Sequence, residues 1–140
     1  MRILITNDDG IQAAALPALV AWAKKYGEVT VICPKVEQSG KSHGIEIHKP
    51  FRLEPVDLCE GVTAFSLDST PADCVRFGVT GLHTSYDLIL SGINRGYNLG
   101  DDIAYSGTVG AIMEGGRLGI PSVALSTDVD TLDTALAQLD

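Results

Sequence analysis

The feature that most constrains the fold of this chain is a set of short runs that are apolar from end to end rather than at every second residue. Arg2–Thr6, Val29–Cys33, Leu88–Ser91 and Ser122–Ser126 all read this way. A strand with one wet face alternates polar and apolar side chains, whereas a strand covered on both faces does not, and sheets covered on both faces are mostly parallel. Between the first two runs, Leu16, Leu19, Val20, Ala23 and Tyr26 recur at helical spacing, with Gly27 placed to stop the helix. That is a βαβ unit. Thr70-Pro71-Ala72-Asp73 supplies a capping hydroxyl, a proline for the first turn and an early acid, predicting a helix to about Val79. Ser106 or Thr108 can cap another, with Val109, Ile112, Met113 and Gly116 on one face and Gly119 and Pro121 closing it. The order predicts a doubly wound, mostly parallel, Rossmann-like α/β sheet, in a single domain over residues 1–140.

Residues 41–68 depart from this rhythm. Ile45, Ile47, Phe51 and Leu53 alternate with polar residues around Lys49-Pro50, ahead of an apolar run at Val62–Leu67. They predict a β-hairpin insert outside or at the edge of the main sheet. Thr131–Asp140 reads as helical and follows directly on a strand, as in an interrupted fold.

Composition narrows the function. Ten Lys and Arg against 18 Asp and Glu leave a formal charge of −8, which argues against a basic nucleic-acid footprint. The longest apolar stretch, Ala13–Ala23, contains Pro17 and is short of the roughly 18 residues a membrane span needs. Met1–Ile5 lacks the features of a secretory leader, and Cys33, Cys59 and Cys74 are odd in number without CxxC spacing. The expectation is a cytoplasmic protein with reduced thiols and no membrane partner.

Open α/β sheets bind ligands at the carboxyl ends of their strands, so the informative residues follow each apolar run. The first run ends in Thr6-Asn7-Asp8-Asp9-Gly10, the second leads to Glu37-Gln38-Ser39-Gly40, and the third ends in Ser91-Gly92-Ile93-Asn94, followed by Asn98. Alone, Asn7–Gly10 is a turn former and Ser39 a loop serine. Together, Asp8, Asp9, Ser39 and Asn94 offer only oxygen ligands, and two adjacent carboxylates are simplest to keep ionised beside a cation. A hard divalent ion, Mg²⁺ or Mn²⁺, suits that set. Tyr105-Ser106-Gly107-Thr108-Val109-Gly110 opens a helix with small residues, leaving backbone N–H groups and two hydroxyls to meet an anion. No lysine follows in Walker fashion. Of the three histidines, His43 lies close enough to Ser39 to be a candidate for proton transfer.

These motifs, with Thr70-Pro71-Ala72-Asp73-Cys74-Val75, Glu114-Gly115 and Gly119-Ile120-Pro121-Ser122, resemble in combination and order the stationary-phase survival protein SurE family. The resemblance covers essentially the whole chain. It implies a divalent-metal-dependent phosphatase of the 5′-nucleotidase type, acting on nucleoside 5′-monophosphates, and in some members on 3′-monophosphates and short polyphosphate. The family's metal ligands fall on Asp8, Asp9, Ser39 and Asn94, with Asp8 and Asp9 in the catalytic role. Its phosphate and substrate contacts fall on Asn98, Ser106, Gly107 and Thr108. The chain departs from the pattern at Ala15 and Ser69, where the family usually has glycine. Family members also run further, with a C-terminal arm exchanged in dimers and higher homo-oligomers, so the C-terminal part of the family fold is absent here.

Three other readings compete. A haloacid-dehalogenase-type phosphatase needs an aspartate two residues beyond its nucleophile, and position 10 is glycine. A receiver-like, Mg²⁺-binding signalling domain needs an aspartate at the end of the middle strand and a lysine after the last. This chain has Asn94 and Ser126-Thr127-Asp128. The third is a truncated, inactive fragment of the phosphatase.

Overall fold

The computed structural model describes residues 1–128 and 130–138. The chain runs β1 (Arg2–Thr6), α1 (Leu16–Ala23), β2 (Glu28–Pro34), β3 (Leu53–Pro55), β4 (Thr63–Leu67) and α2 (Pro71–Arg76), which a π-helical turn over Phe77–Gly81 continues. Then come β5 (Leu88–Arg95), a 3₁₀ turn over Gly100–Ala104, α3 (Gly107–Arg117), β6 (Ser122–Thr127) and α4 (Leu132–Ala137). The six strands form one sheet in the order β3-β4-β2-β1-β5-β6. Every pairing is parallel except β3 with β4. The doubly wound sheet is therefore present.

Both faces of the central strands are buried, as their unbroken apolar sequence requires. Ile3, Ile5, Val29 and Val31 pack with Leu16, Leu19, Val20 and Ala23 of α1. Leu4 and Ile32 point the other way, into a second core with Cys74 and Val75 of α2 and Ala111 of α3. Among the described residues, no helix is long and apolar enough to cross a membrane. Cys33, Cys59 and Cys74 are free thiols.

Two local expectations are corrected. The hairpin lies further along than the alternation around Ile45 and Ile47 suggests. Its arms are β3 and β4, and β4 is itself a parallel member of the main sheet beside β2. Ile47 is 72% exposed, and the segment before β3 is held by polar contacts instead: Thr70 Oγ1 donates to the Gly44 carbonyl at 2.7 Å and the Glu46 N–H to Asp73 Oδ2 at 2.8 Å. The second correction concerns α3. Its buried face is Thr108, Gly110, Ala111, Glu114 and Gly115, while Met113 is 54% exposed. The reason is closeness of approach. A Cβ on Gly110 would sit 1.9 Å from the Ser42 carbonyl oxygen, so backbone packs there where a larger side chain has no room.

The capping expectations hold. Thr70 accepts from the Asp73 N–H, and Ser106 from the Val109 N–H. Gly119, at φ +76, ends α3, with Ile120 N–H bonded back to the Gly115 carbonyl. Helix α1 stops at Ala23, short of Tyr26, whose ring packs on Trp22 at 5.0 Å between centroids.

Candidate functional site

The chain leaves β1 for β2 on one side and later returns to β5 on the other, so β1 and β5 flank the switch point of the sheet. A cleft of about 310 Å³ opens there. Asp8, Asp9, Ser39, Asn94, Asn98 and Ser106 all line it. Three strand ends and one helix start, separated by up to a hundred residues of sequence, thus converge. A larger cleft of about 610 Å³, beside Pro17, Val36 and Leu58, holds a single acid, Asp57, and no comparable convergence.

Asn7 shapes the first of these strand ends. Its side chain donates to the Gly10 carbonyl at 3.0 Å and accepts from the Gly10 N–H at 2.9 Å, closing a turn that Gly10 completes at φ +97. The acids themselves cap nothing: α1 begins at Leu16, with no side-chain cap. Asp8 is buried and lies over the start of α3. Thr108 Oγ1 donates to its Oδ1 at 2.6 Å. Burial nevertheless dominates and pushes the Asp8 carboxyl above its ordinary range, with the charge of Glu37 adding to the effect. Asp9 is pushed the same way, first by burial and then by the charge of Asp8.

The residues read as an anion cradle also serve a carboxylate of the protein itself. The hydroxyl of Thr108 is spent on Asp8, and an added Cβ on Gly107 would lie 3.0 Å from the Asp8 Cβ, so these two residues seat a carboxylate. Ser106 accepts from the Val109 N–H at 3.2 Å and keeps its own proton to donate. Asn98 lines the cleft with its Nδ2 donating to Ser126 Oγ at 2.7 Å.

The donor set suits a hard cation. Asn94 Nδ2 donates to the Gly96 carbonyl at 2.8 Å, leaving its Oδ1 as the acceptor toward any ligand. Ser39 Oγ donates to Glu37 Oε1 at 2.6 Å and keeps its lone pairs. Two carboxylates that burial and neighbouring negative charge discourage from ionising, beside neutral oxygens and no nitrogen or sulfur ligand, match the chemistry of Mg²⁺ or Mn²⁺. Among the described residues, no three His, Cys, Asp or Glu side chains gather as a metal-binding group, and the set depends on Ser39 and Asn94 for completion.

Some of the lining was not read from sequence. Glu37 bonds to Ser39 and repels both aspartates, and Arg95 brings a positive charge close to Asp9. Tyr97 and Tyr105, 57% and 66% exposed, line the same cleft. His43 is absent from that lining, and its Nε2 is engaged by Glu114 at 2.9 Å.

Known proteins resemble this chain in sequence and in fold. A SurE protein from Aquifex aeolicus, seen in a crystal structure, superposes with a TM-score of 0.78 at 37% identity, over 99% of this chain and 61% of that one. A curated relative from Clostridium beijerinckii, named 5′-nucleotidase SurE, is 47% identical over 93% of this chain and 52% of its own length. One of the same name from a Synechococcus strain is 48% identical over 90% of this chain and 51% of its own. The chain thus spans about half the length of these curated relatives. The family profile described as Survival protein SurE matches residues 3–139, every strand end of the cleft included, and the chain belongs to that family.

Proposed function

We propose that this chain carries the centre of a divalent-metal-dependent phosphatase that converts nucleoside 5′-monophosphates to nucleoside and phosphate, with 3′-monophosphates and short polyphosphate as further substrates. The observation that carries the reading is the buried Asp8 beside Asp9, seated at the start of α3 and facing an all-oxygen donor set across the switch point. The names of the curated relatives support the substrate class.

Asp8, Asp9, Ser39 and Asn94 would hold one Mg²⁺ or Mn²⁺. When bound, the cation supplies charge neutralisation of the phosphate and lowers the pKa of water. The protein's part is position. Gly107 and Thr108 fix Asp8, Glu37 fixes the Ser39 hydroxyl, and Gly96 fixes the Asn94 amide. Ser106 donates its free hydroxyl proton toward a phosphate oxygen, and Asn98 contacts the substrate beside it. Arg95 offers the cleft a positive charge for a dianionic ester, and Tyr97 and Tyr105 offer aromatic faces on which a base can stack. Where the family's C-terminal arm is not required for assembly, the working form would be a cytoplasmic homodimer or higher homo-oligomer.

The test is phosphate release from nucleoside 5′- and 3′-monophosphates and from glycerol phosphate, in excess chelator and after restoring Mg²⁺ or Mn²⁺. Release should stop with chelator and return with the cation. Undiminished release in chelator would remove the metal from the mechanism.

A further inference from the structure

One buried charge takes no part in the cleft. Glu114 is 2% exposed and lies two turns into α3 from Ser106. Arg117 Nη2 donates to its Oε1 at 2.6 Å and Arg117 Nε to its Oε2 at 3.0 Å. Arg117 lies on the same helix, so that pair fastens α3 only to itself. The third contact crosses between elements: His43, in the segment between β2 and β3, meets Glu114 Oε2 through Nε2 at 2.9 Å. With Glu114 ionised, Nε2 carries the proton it donates.

The same segment is pinned twice more. Ser42 N–H donates to the Tyr105 carbonyl at 2.9 Å and Ser42 Oγ to the Ala104 carbonyl at 2.6 Å, both just ahead of α3. Ser42 itself sits at φ +54, a conformation that a non-glycine residue keeps only when its surroundings hold it. At the other end, the Gln38 N–H donates to the Asp8 carbonyl at 2.7 Å. Ser39 lies between these anchors, with only Gly40 and Lys41 separating it from Ser42.

We propose that Glu114, oriented by Arg117, is a positioning residue that latches the Ser39 loop to α3 through His43. The same helix holds Asp8 through Thr108, so the latch keeps Ser39 and Asp8 in one frame. This rests on the metal-site reading given above for Ser39 and Asp8.

The test uses the metal-free full chain and its Mn²⁺-loaded form, with His43→Ala and His43→Gln. His43 is partly exposed and Glu114 keeps Arg117 in both variants, while Gln returns an N–H donor at similar reach. Amide hydrogen exchange at Ser42 should be about 10-fold faster in His43→Ala and return toward wild type in His43→Gln, with exchange at Ile5 in β1 unchanged. Mn²⁺ affinity, read from thermal shifts, should fall about 10-fold in the alanine variant, as for loss of an outer partner of a ligand, and recover in the glutamine one. Unchanged Ser42 exchange in His43→Ala overturns the latch. Faster exchange with unaltered Mn²⁺ affinity overturns its role in positioning Ser39. A wild type that binds no Mn²⁺ overturns the metal reading instead, and Ser42 exchange still judges the latch.

Discussion

Asp8→Asn separates a metal ligand from a turn residue, and the structure sets the size of the effect. In the metal-free protein, the substituted amide would keep an oxygen to accept from Thr108 Oγ1, losing about 1 kcal/mol as a charge-assisted bond becomes a neutral one. Against that stands the carboxylate's burial beside Glu37, which outweighs the Thr108 bond, since the Asp8 carboxyl is held above its ordinary range despite it. A neutral side chain of the same shape should therefore leave the metal-free protein no less stable than wild type at neutral pH. The loaded protein should behave oppositely. Mn²⁺ at 100 times its Kd adds about 2.7 kcal/mol to the folded state. For a chain of this size, at roughly 4 °C per kcal/mol, that raises Tm by about 10 °C. If the substitution weakens binding about 100-fold, the same Mn²⁺ concentration equals the new Kd, adding about 0.4 kcal/mol or roughly 2 °C. Thermal melts of both proteins with and without Mn²⁺ measure all four values. A Mn²⁺ shift that persists at full size in Asp8→Asn would refute the ligand assignment.

Four further outcomes are expected. Thr108→Val removes the hydroxyl held by Asp8 without emptying space, so Mn²⁺ affinity should fall about 10-fold, while a rise confined to KM for phosphate esters would return Thr108 to the cradle first read for it. Tyr105→Ala should raise KM for nucleoside monophosphates about 10-fold and leave glycerol phosphate unchanged, with Tyr105→Phe near wild type; equal losses on both substrates would remove base stacking. Gly110→Ala forces a Cβ against the Ser42 carbonyl and should cost about 2 kcal/mol in urea unfolding, whereas the exposed helical control Gly116→Ala, with open space at its Cβ, should cost nothing; equal values at the two positions would show that the contact yields. The hydrogen bond from Arg117, before that from His43, holds the Glu114 carboxyl below its ordinary range. Its stabilisation is thus complete above the unfolded value near 4.5 and lost as pH falls through the lowered folded value, so Glu114→Gln should flatten the acid limb of stability against pH, and an unchanged limb would count against the pairing.

What could be read from the sequence and what could not divide along a physical line. Ile3, Leu4 and Ile5 announce a strand buried on both faces because burial on both faces requires apolar side chains in succession, and the opposite cores into which they point are the result. Ile45 and Ile47 show the same cue failing. Their alternation satisfies the strand pattern, but among the described residues no neighbouring strand offers the segment a ladder, and its backbone is bonded to Thr70 and Asp73. Helix α3 misleads in the opposite sense: hydrophobic periodicity seeks the largest side chains, whereas a helix pressed closely against its neighbours buries its smallest. Gly110 against Ser42 and Gly115 against Ser122 fix its inward face, so Met113 is turned outward.

The site follows the same division. Asp8, Asp9, Ser39 and Asn94 were legible because a single topological rule places the ends of parallel strands together, whatever the side chains do afterwards. The direction of each polar group was not, because it depends on partners far along the chain: Thr108 meets Asp8 across 100 residues and His43 meets Glu114 across 71. A hydroxyl at a helix start reads equally as a cap, an anion donor or a brace for a carboxylate. Here Ser106 takes the first role with a proton to spare for the second, and Thr108 takes the third. That assignment changes the chemistry expected of α3. The start of α3 already serves an anion belonging to the protein itself, Asp8, through the Thr108 hydroxyl, so a substrate phosphate entering the cleft would meet that carboxylate's charge beside it, a repulsion that the cation of the proposed mechanism would offset.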